Sequence, residues 1–110
     1  MAAHHSAAAE YESRVTTITG TVTRFEWVNP HTWIYLDVKD AAGSVIHMKV
    51  EGSAPNGLLS NGWTRDSIQP GDRITIEGNP AKGRADGFKA RAVTLANGRR
   101  LVMGLPLDGR

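Results

Sequence analysis

The sequence predicts a small all-β barrel built from a single domain. Short segments of alternating apolar and polar residues recur along the chain, which is the pattern of half-buried strands. Turn dipeptides such as Pro70-Gly71 and Asn97-Gly98 separate these segments. The 110 residues, 40% of them hydrophobic, are enough for one domain with a packed core.

The first predicted strand covers residues 14–27 and is rich in threonine, valine and isoleucine. Ile18 and Val22 share one face, but the apolar positions then change parity at Phe25. A one-residue shift in a two-residue period requires a bulge or a new packing partner. Gly20 indicates a sharp bend. We therefore predict a long, bent first strand that serves both halves of a barrel.

Two further strands follow, over residues 32–39 and 45–51, with a turn at residues 40–43 between them. Alternation places one set of apolar side chains inward and leaves Trp33 and Tyr35 facing outward. The inward set comprises Ile34, Leu36, Val38, Ile46, Met48 and Val50.

A short helix is predicted after the third strand, within residues 53–62. Ser53 suits its N-cap, Pro55 suits its first turn, and Asn61-Gly62 suits a left-handed stop.

The second half of the chain predicts two more strands and an edge strand. Residues 73–77 alternate cleanly, residues 79–87 form a loop rich in glycine and charge, and residues 88–95 form the fifth strand. The hairpin signal at Asn97-Gly98 predicts an extra edge strand at residues 100–103.

Three strands, a short helix and two strands is the element order of a five-stranded OB-like barrel. An irregular small β-sandwich is the alternative. We expect residues 1–13 to form a flexible N-terminal arm, residues 14–104 to form the barrel, and residues 105–110 to form a C-terminal tail.

Composition argues against several functional classes. Thirteen basic and eleven acidic residues give a net charge of +2 without a dense basic face, so we expect no nucleic-acid partner. The absence of cysteine excludes a disulfide framework, a thiolate metal site and a thiol nucleophile. No apolar run approaches the roughly 20 residues that span a bilayer. No nucleophile elbow or His-Glu-x-x-His motif is present, so we expect no enzyme.

The first residues indicate export. The small residues of Met1-Ala2-Ala3-His4-His5-Ser6 resemble the remainder of a signal-peptide cleavage site. We therefore expect a mature periplasmic protein.

Several short motifs are familiar as a set. They are His4-His5-Ser6, Trp27-Val28-Asn29-Pro30-His31, Val50-Glu51-Gly52, Gly62-Trp63 and Pro70-Gly71-Asp72. With them the chain, from His4 to about Met103, resembles a family of short exported bacterial proteins of unknown function. The resemblance implies a periplasmic location and an OB-like fold, and it implies no activity, substrate or catalytic residue.

The histidines suggest a metal site. His4 and His5 lie next to each other near the start, and His31 follows the first strand. A terminal amine, an early imidazole and backbone amides supply the nitrogen ligands that Cu(II) and Ni(II) prefer. We expect copper or nickel at His4, His5 and His31. In the alternative, the terminal histidines are inert and His31 only shapes its turn.

The aromatic residues suggest a second kind of site. Trp27, Trp33 and Tyr35 are candidates for a ligand or partner face, because OB barrels bind oligonucleotides and sugars on the surface around the second and third strands. This alternative function is a protein- or glycan-interaction module. Trp27 and Trp63 also suit plugs at the ends of the barrel, and for Trp63 we favour the buried position.

Overall fold

The computed structural model describes residues 7–104. Among these residues there are two short helices and six strands: α1 (Ala7–Glu10), β1 (Thr16–Glu26), β2 (Trp33–Lys39), β3 (Val45–Glu51), α2 (Pro55–Ser60), β4 (Arg73–Pro80), β5 (Gly87–Thr94) and β6 (Arg100–Val102). The predicted order from β1 to β6 is confirmed, whereas α1 was not predicted.

Five of the strands close into a barrel. The antiparallel order is β3-β2-β1-β4-β5, and a parallel pairing of β3 with β5 closes the ring. β6 adds to β5 as the predicted edge strand. The first half of β1 pairs with β4 and its second half pairs with β2, so β1 serves both halves of the barrel as predicted.

The predicted change in which residues of β1 face inward arises from a β-bulge. The register of β1 against β2 shifts between Val22 and Arg24, which leaves Thr23 as the extra residue. Gly20 is required here for a steric reason, because a Cβ atom at this position would lie 2.3 Å from the carbonyl oxygen of Asp37. The close approach of β1 and β2 therefore depends on glycine.

The core fills the barrel and one of its ends. Strand residues of the inward set pack with Leu58 of α2 and with Trp63, whose indole nitrogen donates to the Val102 carbonyl at 2.8 Å. Trp63 is 1% exposed, which confirms its predicted burial. The ring centroids of Phe25 and Trp63 lie 6.1 Å apart. These side chains plug the end of the barrel where β1 finishes.

Two local predictions were wrong. The N-cap of α2 is Ala54, without a side-chain cap, rather than Ser53. Strand β4 continues to Pro80 instead of ending at residue 77, because Asn79 and Pro80 still pair with β5 after a register shift between Glu77 and Gly78. Gly62 does end the helical segment, with φ of +90°.

Residues 7–13 do not behave as a free arm. Tyr11 is 3% exposed and forms a β-bridge with Ala81. The amide of Glu12 donates to the Pro80 carbonyl at 2.8 Å, and the amide of Lys82 donates to the Glu10 carbonyl at 2.9 Å. Burial of a large aromatic ring is strongly favourable, even in a segment that otherwise consists of small and charged residues. The buried Tyr11 ring therefore holds this segment against the loop between β4 and β5.

Candidate functional site

The outer face of β1, β2 and β3 carries two rows of side chains. The strand register sets Glu26 opposite Trp33 and Trp33 opposite Glu51. In the next row, Tyr35 lies between Arg24 and Lys49. Each aromatic residue of β2 is thus flanked by charged residues on both neighbouring strands.

The charged neighbours hold the two rings in place. The Lys49 ammonium lies 4.5 Å from the centroid of the Trp33 ring, and the Arg24 guanidinium lies 5.3 Å from that of Tyr35. The Tyr35 hydroxyl donates to Glu26 at 3.0 Å, and Glu26 also pairs with Arg24. The pKa of Tyr35 is raised, most of all by desolvation and next by the hydrogen bond to Glu26. The prediction that Trp33 and Tyr35 face outward is therefore correct.

Glu51 joins two distant parts of the chain. Its Oε1 accepts a hydrogen bond of 2.6 Å from the Tyr11 hydroxyl, and its Oε2 contacts Nδ1 of His31. The Glu51 side chain is 12% exposed, whereas that of His31 is 47% exposed. The carboxylate thus brings the N-terminal segment and the Asn29-Pro30-His31 loop to one point on the barrel.

The Tyr11 phenol is held in its neutral form. Burial is the largest cause of the raised pKa of Tyr11, and the hydrogen bond to Glu51 acts in the same direction. A neutral phenol donates a hydrogen bond to the Glu51 carboxylate. Oε1 of Glu51 therefore has a hydrogen-bond partner that carries no positive charge.

A groove of about 320 Å³ lies beside this junction. It is bounded by the N-terminal segment, by β2 and β3, and by the loop between β4 and β5. Its main lining residues are Tyr11, Trp33, Lys49, Glu51, Lys82 and Arg84. The groove therefore occupies the face around β2 and β3 where OB barrels take their ligands.

The predicted site residues fall into three groups. His31 lies at the Glu51 junction, and Trp33 and Tyr35 lie on the adjoining outer face. Trp27 lies apart from them, because its ring packs edge-on against Phe25 at 5.9 Å and adjoins the core at the plugged end. His4 and His5 lie outside the described residues. Within residues 7–104, no three His, Asp or Glu side chains form a group that could hold a metal ion.

Sequence reasoning missed Tyr11 and Glu51. Tyr11 is the first aromatic residue in a segment of small and charged residues, which is a usable signal for an anchor. The sequence places Glu51 at the end of the third strand, where a charged residue is ordinarily solvated. Only the register of β3 against β2 shows that it lies beside Trp33 and near the loop that carries His31.

The fold and the site define an OB-like β-barrel with a polar and aromatic face on β2 and β3. The chain belongs to the family of unknown function DUF6152, which matches residues 1–90. The expected membership of a family of unknown function is thereby confirmed.

One solved structure supports the fold. The chain is similar to a chain in the crystal structure of the S. pombe Stn1-Ten1 complex, with a TM-score of 0.50 and 17% sequence identity. The similarity covers 74% of this chain and 57% of that chain. No curated protein matches the sequence. In the described part of the chain, no helix has the length and apolar character needed to cross a membrane.

Proposed function

We propose that this protein is a non-catalytic periplasmic binding module that holds a divalent transition metal, copper or nickel, through His31 and the N-terminal histidines His4 and His5. The observation that carries the proposal is the shared carboxylate of Glu51. Because Tyr11 and His31 bind its two oxygens, the N-terminal segment approaches the barrel on the side where His31 lies.

The contact between His31 and Glu51 suits a metal ligand. A metal-bound histidine usually donates its other ring N–H to a carboxylate, which fixes the tautomer and the orientation of the ring. Here Nδ1 faces Glu51, so Nε2 is the nitrogen that would bind the metal. The half-exposed ring of His31 allows a ligand to reach that nitrogen.

His47 provides a matched control. Its Nδ1 lies 2.7 Å from Oδ1 of Asp37, so it is also an exposed histidine paired with a carboxylate. His47 lies near the start of β3, opposite Asp37, whereas Glu51 is the last residue of that strand. A His47→Ala variant removes an imidazole–carboxylate pair without touching the proposed site.

The test is a titration of Cu(II) and Ni(II) into the protein carrying its mature N-terminus. We expect His31→Ala to weaken binding and change the visible spectrum, and Glu51→Gln to weaken binding by roughly ten- to a hundredfold. His47→Ala should bind like the unmodified protein. Equal affinity and spectra for His31→Ala and His47→Ala would leave only a terminal peptide chelate, and the proposal would be wrong.

A second candidate function is supported by Trp33 and Tyr35. Their rings lie on the outer face, already ordered by Lys49 and Arg24, so little entropy would be lost on stacking against a glycan or a protein partner. OB barrels bind oligosaccharides on this face. In this second candidate function, His4 and His5 have no role.

Capture from periplasmic extract tests the second candidate. Trp33→Ala should abolish capture of the partner while the melting temperature changes little. Val28→Ala, which shortens an exposed side chain outside this face, should capture normally. If Trp33→Ala captures as well as Val28→Ala, the aromatic face has no role in recognition.

A further inference from the structure

At the end of the barrel opposite α2, apolar side chains remain partly exposed in the described part of the chain. Ile18, Val38 and Ile46 occupy inward-facing positions of β1, β2 and β3, yet all three are only partly buried. At the other end, Trp63 and Leu58 are almost completely buried. Within residues 7–104, the barrel therefore exposes part of its apolar interior at the end opposite α2.

The opening arises from the way the barrel closes. Strand β3 pairs with β5 only over residues 49–51 and 87–89. The first half of β3 has no strand partner on that side among the described residues, so a gap remains between it and the start of β1. A cleft of about 450 Å³ fills the gap, within the size range of small-molecule sites.

The floor of the cleft is apolar. It is formed by the three partly buried side chains together with Met48 and Phe88, which are themselves buried. Transfer of an alkyl chain from water to such a surface is favourable by about 0.8 kcal/mol for each methylene that is fully buried. The floor thus suits a flexible apolar chain.

The rim of the cleft carries an available cation. The Arg84 guanidinium folds over Gly87, where a Cβ atom would lie 2.6 Å from Nη2, and Arg84 has no ion pair within residues 7–104. The acidic residue of the rim, Glu12, is already paired with Arg14 at 2.6 Å. The charge available to a ligand is therefore positive, and a planar guanidinium binds a carboxylate through two parallel hydrogen bonds.

We propose that this cleft binds a free fatty acid, with the alkyl chain on Ile18, Val38 and Ile46 and the carboxylate on Arg84. The cleft shares Arg84 with the groove beside Glu51, but neither His31 nor Glu51 lines it, so the proposal does not depend on the proposed metal function. It assigns a second ligand of different chemistry to the same small barrel.

Monomeric dodecanoate is the probe, and methyl NMR of the isoleucine and valine side chains is the readout. Dodecanoate should shift the methyl signals of Ile18, Val38 and Ile46 and leave those of Val28, which is exposed in the loop after β1, unchanged. Shifts that occur elsewhere and spare the cleft would overturn the proposal.

Charge specificity is tested with Arg84→Gln and with dodecanol. Dodecanol lacks the carboxylate and should bind more weakly than dodecanoate. Arg84→Gln should weaken dodecanoate binding at least about tenfold and should change the affinity for dodecanol by less than about twofold. Arg99→Gln makes the same change of charge on an exposed turn residue and should have no effect. Equal dodecanoate affinities for the two variants would contradict the role of Arg84.

Filling the cleft gives an independent result. Ile46→Trp should fill the cleft and abolish binding of both dodecanoate and dodecanol. If this variant does not fold, the methyl shifts of the unmodified protein decide whether dodecanoate binds in the cleft. Concentration-dependent shifts of the same methyls without ligand, together with dimerisation, would assign the cleft to a second copy of the chain and would also overturn the proposal.

Discussion

The Tyr11 hydroxyl donates to Oε1 of Glu51 across a distance of 2.6 Å, joining residues that are forty positions apart in the chain. The bond ties the segment before β1 to the last residue of β3. With the β-bridge between Tyr11 and Ala81, it makes residues that precede the barrel part of the packed domain.

Removal of the Tyr11 hydroxyl should destabilise the protein. A hydrogen bond to a charged acceptor contributes about 1.5–3 kcal/mol, so Tyr11→Phe should lower the free energy of unfolding by roughly that amount in urea denaturation. Tyr35→Phe, which breaks a more exposed bond to Glu26, should cost less. A larger loss in Tyr35→Phe than in Tyr11→Phe would contradict this assignment.

Stability should fall at alkaline pH because of the same phenol. The pKa of Tyr11 is raised in the folded protein from its ordinary value of 10.0, so above about pH 10 the unfolded chain releases a proton that the native protein retains. The contribution of Tyr11 is complete below pH 10 and is lost as the pH rises above it.

Denaturation between pH 9 and pH 11.5 measures this effect. The free energy of unfolding should decline over the range, and the decline should be shallower in Tyr11→Phe. A part of it should persist because the pKa of Tyr35 is raised as well. Identical pH profiles for Tyr11→Phe and the unmodified protein would rule out Tyr11 as the source.

The two tryptophans Trp63 and Trp33 should respond differently to truncation. Trp63→Ala removes the buried plug and the hydrogen bond to Val102, and should cost about 3–5 kcal/mol in the free energy of unfolding. Trp33→Ala removes a ring from the outer face and should cost less than about 1 kcal/mol. Thermal unfolding followed by circular dichroism compares them, and similar losses would place Trp33 in the core.

Glycine positions should separate into essential and replaceable ones. At Gly78 a Cβ atom would lie 2.0 Å from the Lys89 carbonyl oxygen, so Gly78→Ala must push β4 and β5 apart and should be strongly destabilising. Gly57 lies in α2 with open space around it, and Gly57→Ala should stabilise by about 0.5–1 kcal/mol. Urea denaturation of both variants measures the contrast; a stable Gly78→Ala protein would show that the strands can yield.

The fold was predictable because local signals agreed with one another. Alternation fixed the inward faces of β2 and β3, Gly62 marked a helix end, and the parity change before Phe25 marked the bulge. These features depend on neighbouring residues, which the sequence displays directly.

The site was predictable only in part, because it depends on pairing between distant segments. The orientation of Trp33 follows from strand parity, but the convergence of Tyr11 and His31 on Glu51 requires the register of β3 and the path of the segment before β1. Trp27 illustrates the same limit, since its ring packs against Phe25 and not beside Trp33 on the outer face.

The parallel closure of the barrel has a consequence for synthesis on the ribosome. Until Gly87–Lys89 have emerged, β3 and β4 each present an unpaired edge to the surroundings. A chain stalled before this point is therefore open to pairing with other nascent chains. A chaperone that covers these two edges is most useful until β5 is available to pair with them.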